Sequence, residues 1–392
     1  MAPTSISRFA PFLLLLFIGT LSNSAIVPFM GFYLIDGLGH PPWMLSVYSF
    51  LAIVLTVLAN RAFGRRIDAG APVFPLIGVA ASGYAVASLV MAVSPTLPVM
   101  LTIGVLGYGI SASAISTMFS LGGHMAERHG VERTRFNAIM RATTSTAWMI
   151  GPAISYVSAG QFGNEIVFKG AAVLGLAWLA WWFLTLPRDV QAKAPEKPPA
   201  TGPVPANTGL WLAAAFIFAM SVAHGLTFTA LPLFFVTEVG LPDFAPGFAF
   251  SVKTFVEVFA IFSTPFLMAR FGLSGPLLAT ACIAVGAILF LSQVTTLSQM
   301  VIGSALEGLY YGLFASLGIS YVQSFARDRP AQATAIYWNT LMISGLLSGP
   351  AVGLIAQATS FQTVIQISSG GAAVAALVLL VGILHGRRLQ AV

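Results

Sequence analysis

Five ionisable side chains lie among neighbours that are almost wholly apolar: Arg141, His224, Lys253, Glu257 and Glu307. Such groups are costly at membrane depth, by roughly 2.5–3.5 kcal/mol each on insertion scales, so each is a candidate for function. Lys253 and Glu257 are four positions apart, the spacing at which two side chains share a helix face. Two readings of them stand open: mutual neutralisation, or a proton site at Glu257 whose hold on the proton Lys253 alters between conformations. Glu307 is the second proton candidate. Its neighbours Gly308, Tyr310 and Tyr311 allow backbone and rings to approach a ligand, and its bland reading is a neutral hydrogen-bonded acid. Arg141 either snorkels to the interface or faces a cavity.

A neutral polyhydroxylated solute would need hydrogen-bonding groups and ring faces, because every buried hydroxyl left unpaired is penalised. Asn23, His224, Asn339 and Gln323 offer the first; Trp148, Trp338, Tyr310, Tyr311 and Tyr337 offer the second. No metal-ligand cluster, phosphate-cradling loop or nucleophile arrangement occurs, and His40, His124, His129 and His385 are scattered. The expectation is therefore no enzyme, no cofactor, no metal and no ATP-driven chemistry in this chain.

The elements that must position these groups follow from composition. A chain of 392 residues that is 57% hydrophobic and 8% charged cannot clothe itself in the charged surface of a soluble protein. Stretches of about 20 apolar residues, enough to cross a bilayer, predict spans over residues 11–35, 43–60, 73–94, 97–121, 136–159, 165–186, 210–236, 244–270, 273–291, 297–324, 332–358 and 361–384. The first is read as a span and not as a removable signal. Cys282, the single cysteine, excludes an intramolecular disulfide. Trp178, Trp181 and Trp182 are assigned to an interfacial belt. Gly151-Pro152 and Gly349-Pro350 are read as sites of bending and close packing.

The net charge of +6 needs no nucleic-acid partner. All Lys and Arg except Arg141, Lys169 and Lys253 fall at the termini or in alternate loops, which puts both termini and the centre of the chain on the cytoplasmic side. The polar stretch 187–208, rich in Pro and Ala, reads as a cytoplasmic linker between a first half, 1–186, and a second, 209–392. Displacing the halves by about 200 positions aligns GPAISY at Gly151 with GPAVGL at Gly349 and pairs Asn23 with His224, Arg141 with Asn339 and Gly107 with Glu307. The fold class is thus an all-α membrane protein of 12 transmembrane helices in two parallel six-helix repeats, the arrangement of major facilitator transporters.

The run MRATTSTAWMIGP, Met140–Pro152, resembles the signature of the bacterial sugar efflux transporter family within that superfamily. Tyr337, Asn339 and Thr340 before a glycine-rich stretch, and Glu257 beside VFAIF, add to the resemblance. It implies a proton-coupled exporter of sugars or related hydroxylated metabolites, acting by alternating access as a monomer in the lipid bilayer of a bacterial inner membrane. It also implies that spans 1, 4, 7 and 10 line a cavity, with gating contacts in the loop after span 2. There Asp68 and Gly70 match the superfamily's pattern, while Ala71 and Pro72 replace a basic pair. The competing expectations are an exporter of amphipathic drugs in the same superfamily and a non-transporting membrane receptor or scaffold.

Overall fold

An apolar run at membrane depth has no water for its amides, so the backbone must satisfy itself by coiling. The computed structural model describes residues 6–131, 133–192, 207–325 and 330–390. Among these, the β pairing is one isolated bridge between Pro72 and Gln191. With short π-turns and bends counted inside their helices, the elements are α1 Ala10–Gly37, α2 Trp43–Asp68, α3 Val73–Val93, α4 Leu97–Arg128, α5 Arg133–Phe162 and α6 Glu165–Thr185. The second half has α7 Thr208–Glu238, α8 Ala245–Phe271, α9 Ser274–Leu291, α10 Leu297–Ser324, α11 Pro330–Ala358 and α12 Phe361–Gln390. The protein is all-α, and eleven of these helices are long and apolar enough to cross a membrane.

The twelfth is α5. It has 30 residues but carries Arg141 and the polar run Thr143, Thr144, Ser145 and Thr146. Thr143, Thr144 and Thr146 donate to the carbonyls of Ile139, Arg141 and Ala142 at 3.0, 2.9 and 2.9 Å. Hydroxyls satisfied within their own helix impose little cost at membrane depth.

Several helices outrun their apolar stretches: α5 begins at Arg133 and α12 continues to Gln390. α2 continues to Asp68 and α4 to Arg128, so Arg61, Arg65, Arg66 and Arg128 sit on helix ends and not in loops. Arg is a good helix former, and coiling persists until Gly70 and Gly130 adopt φ of +78° and +68°, the left-handed turn that closes a helix. Of the expected linker, 193–206 lies outside the described residues, as do Lys193, Lys197, Arg327 and Arg329.

The chain forms two compact units, one from α1–α6 and one from α7–α12, except that Pro41–Ser46 groups with the second and Pro246–Ser251 with the first. In the first unit α1 packs on α5 and α6, and α3 on α4 and α6. In the second, α7 packs on α11 and α12, and α9 on α10 and α12. These are the same four pairings shifted by six helices. Backbone detail repeats as well: π-turns close α1 at Tyr33–Gly37 and α7 at Phe234–Glu238, and Gly39 recurs as Gly240 and Gly70 as Gly272, all with positive φ.

Small residues set the helix contacts. A Cβ on Gly151 would strike Ser24, and one on Gly225 would strike Ser348, so α1–α5 and α7–α11 approach at matching places with serine and glycine exchanged. Glu238 accepts from the Phe361 and Gln362 amides at 2.6 and 2.9 Å, capping α12 where its dipole favours an anion.

Trp178 is a correction to the expected interfacial belt. It is fully buried, edge-on to Tyr84 at 6.0 Å, in space that Gly19 leaves open. Trp181 and Trp182 are half-buried and donate their indole N–H groups to the Pro11 and Phe74 carbonyls, each at 2.9 Å.

Candidate functional site

The second unit brings six of the expected site residues together. Gly308 and Gly312 on α10 face α8: a Cβ at Gly308 would meet the Lys253 carbonyl, and one at Gly312 would lie 2.6 Å from the Glu257 carbonyl. This small-xxx-small spacing lets two backbones touch, and it brings Lys253 and Glu257 beside the turn of α10 that carries Glu307, Tyr310 and Tyr311. Lys253 Nζ lies 3.1 Å from Glu257 Oε2, with side chains 7% and 16% exposed, so the pair expected from the four-residue spacing forms. The same ammonium lies 4.4 Å from the Tyr311 ring centroid and 5.9 Å from that of Phe228, within cation–π range.

From α7, His224 completes the cluster. Its ring stacks on Tyr311 at 3.9 Å and 18°, and Nδ1 is 3.0 Å from the Tyr310 hydroxyl. Glu307 Oε1 is 3.8 Å from the same nitrogen, beyond hydrogen-bond reach. That oxygen is buried and, among the described residues, has no hydrogen-bond partner; Glu307 as a whole is 3% exposed. The cluster therefore holds two carboxylates against one lysine. With Lys253 engaged by Glu257, Glu307 is the acid without a cation of its own unless His224 is protonated.

The equivalent level of the first unit is built differently. Asn23, paired by the repeat with His224, donates to the Gly19 carbonyl at 2.9 Å and accepts from the Ser111 hydroxyl at 2.7 Å. Like His224 it ties its helix to the fourth of its unit, through its carbonyl oxygen, while its amino group is spent on a carbonyl of its own helix. The position that the repeat pairs with Glu307 is Gly107, which carries no acid.

The other expected residues are not in this cluster. On α5 Arg141 is exposed and Trp148 partly so; on α11 Trp338 and Asn339 are exposed, whereas Tyr337 is buried with its hydroxyl 3.4 Å from the Ala315 carbonyl. Asp68 ends α2 in an exposed turn, and Gly70 follows with the positive φ that closes it. The strand-like bridge from Pro72 to Gln191 and the bond from the Val73 amide to the Val190 carbonyl, 2.8 Å, fasten that turn to the start of the expected linker.

The chain matches the sequence profile of the Major Facilitator Superfamily over residues 12–348. It belongs to that superfamily. Among curated relatives, sugar efflux transporter B of Salmonella typhimurium is 24% identical over 90% of each chain. Sugar efflux transporter C of Escherichia coli is 24% identical over 95% of each. Among solved structures, the nucleoside transporter NupG superposes with a TM-score of 0.76 at 14% identity, covering 95% of this chain and 98% of its own. The human organic anion transporter MFSD10 gives 0.64 at 15%, covering 96% and 100%. At these identities the two structures show a shared major facilitator fold.

Within that fold, sequence reasoning did not single out Phe228, which shares the lysine with Tyr311, nor Ser111, the partner of Asn23. It also passed over Ser221 and Ser304, whose hydroxyls are buried without partners among the described residues. Each serine lies one helical turn before a titratable candidate, His224 and Glu307, and that spacing was the available signal.

Proposed function

We propose that this superfamily member is a secondary active transporter that exports sugars or related hydroxylated metabolites by alternating access, coupled to protons. The observation that carries the coupling is the orphaned Oε1 of Glu307 in a cluster with one carboxylate more than its lysine can neutralise. A buried acid without a fixed counter-charge changes its proton occupancy when its surroundings alternate between wet and dry. Glu307 is accordingly the leading proton site, and Glu257, held by Lys253, the second. Sugars as substrate are supported by the two relatives named above.

In this reading Arg141, Trp148, Trp338 and Asn339 supply further contacts to substrate, and Asp68 and Gly70 serve the gate. Segment 187–208 is a cytoplasmic linker between halves 1–186 and 209–392. The chain acts as a monomer in a bacterial inner membrane with both termini cytoplasmic, and it moves its substrate without transforming it.

One observation favours a second reading. The Glu257 carboxylate and the rings of Phe228 and Tyr311 surround the Lys253 ammonium, and an organic cation could displace it, which suits an exporter of amphipathic amines. Both readings meet one experiment. Purified protein in liposomes, loaded with glucose or lactose under an imposed pH gradient, is expected to move sugar against its concentration gradient and to acidify or alkalinise the lumen in step. Movement of tetraphenylphosphonium but neither sugar would establish the second reading, and downhill equilibration alone would refute coupling.

A further inference from the structure

The hydroxyls of Ser221 and Ser304 depart from the habit of their helices. Serine and threonine in a helix ordinarily turn back to a carbonyl three or four residues earlier, as Thr227 does to Ala223 and Ser320 to Ser316. Ser304, fully buried, and Ser221 do not; both oxygens are shielded from solvent and, among the described residues, unpartnered. Glu307 Oε1 is in the same condition. Where buried polar atoms left over in this way lie within reach of one another, an ordered water can satisfy them together.

Their placement gives that water a task. Residues three apart on a helix share a face, with Cβ atoms about 5–6 Å apart, so Ser304 and Glu307 are neighbours on α10 and Ser221 and His224 neighbours on α7. At that spacing one water can bridge both members of such a pair. Successive spans alternate in direction, so α7 and α10 run oppositely, and His224 meets Glu307 between them at 3.8 Å. Each serine precedes its partner by three residues, a rise of about 4.5 Å, so the two lie on opposite sides of the His224–Glu307 level.

We propose that Ser304 and Ser221 are positioning residues for the water that carries protons to and from Glu307, forming a hydroxyl-and-water column along the α7–α10 contact. The inference rests on the proton-coupled reading above. In the protonation step a hydronium in the column breaks one O–H bond, the Glu307 carboxylate forms one, and a neutral water remains; in release the same transfer runs backwards. Ser304 only donates and accepts hydrogen bonds and carries no charge. The other titratable groups around Glu307 are His224 from α7, Lys253 and Glu257 from α8, and Tyr310 and Tyr311 of α10. α9 contributes only Cys282, which is exposed, and α11 only Tyr337.

The test uses the full chain with Ser304→Ala, Ser304→Thr and Ser221→Ala. Infrared difference spectra across pH identify the Glu307 carbonyl band by its loss in Glu307→Gln. Removing the water's anchor in Ser304→Ala is expected to move that band to higher frequency, and Ser304→Thr, which keeps a hydroxyl, to restore it. In liposomes Ser304→Ala is expected to slow pH-driven glucose or lactose movement about tenfold, a barrier change of roughly 1.4 kcal/mol, while sugar exchange without a gradient stays within about twofold. Ser221→Ala should slow driven movement in the same selective way. An unmoved carbonyl band, or driven transport and exchange falling together without rescue by threonine, overturns the column. A wild-type protein that exchanges sugar yet ignores the pH gradient overturns the proton-coupled reading, and the column with it; the band measurement tells the two failures apart.

Discussion

At the scale of single residues the decisive contrast is between two glutamates one helix apart. Glu257 has a lysine at 3.1 Å; Glu307 has an oxygen with no hydrogen-bond partner among the described residues. Glu307→Gln keeps shape and hydrogen bonding but cannot cycle a proton, so it is expected to reduce pH-driven sugar movement to background while leaving gradient-free exchange within a few-fold of wild type. Wild-type accumulation by both Glu307→Gln and Glu257→Gln would exclude coupling through α8 and α10. The Lys253–Glu257 pair is separable from this. Lys253→Met alone strands a largely buried carboxylate, and breaking such a pair costs roughly 3–5 kcal/mol, which should appear as a lower melting temperature. Lys253→Met with Glu257→Gln removes both charges and should recover most of that loss. Uphill transport by the double variant would mark the pair as structural; its absence in a well-folded protein would give Glu257 a part in coupling.

At the scale of elements, glycine governs how near the helices come. Gly308 and Gly312 hold α10 against the α8 backbone, and Gly312→Val should cost about 1–3 kcal/mol through overpacking and also disturb Glu307, because the glycine lies little more than a turn away. Gly286, with nothing near its added Cβ, is the control: Gly286→Ala should leave thermal stability and transport unchanged. On α6, Trp178 fills the space over Gly19, and its indole nitrogen has no partner among the described residues. Trp178→Ala is therefore expected to cost about 3–5 kcal/mol, and Trp178→Phe much less, since no hydrogen bond is lost. A thermal melt in detergent ranks the three proteins.

At the scale of the whole molecule, the repetition of four helix pairings, two terminal π-turns and two positive-φ glycines across the halves is what a duplicated six-helix unit produces. The charge distribution carries an expectation for its orientation, with both termini cytoplasmic. With Cys282→Ser as background, Asp189→Cys should resist a membrane-impermeant maleimide added to intact cells and react after permeabilisation, whereas Thr359→Cys should react at once. Labelling in the reverse order would invert the topology.

The sequence by itself determined twelve apolar stretches, a weak internal repeat and a spacing that allows Lys253 to pair with Glu257. Apolar length, a shift of about 200 positions and a four-residue spacing can all be read along one dimension. Even the excess length of α2 and α4 was visible in Gly70 and Gly130, had helix propensity been followed past the edge of the apolar stretch. What the tertiary structure decided is how each helix is rotated about its axis and which backbones come close enough to touch. Those rotations brought His224 to Glu307 and Tyr311, withdrew Trp178 from the interface, engaged the Asn23 amide with Ser111 and left Arg141 and Asn339 exposed. In helices that are apolar on nearly every face, as most of these are, no polar stripe announces the inward side. The orientation is set instead by where glycine and serine on one helix meet bulk on the next, and that is a property of pairs of helices brought together by folding.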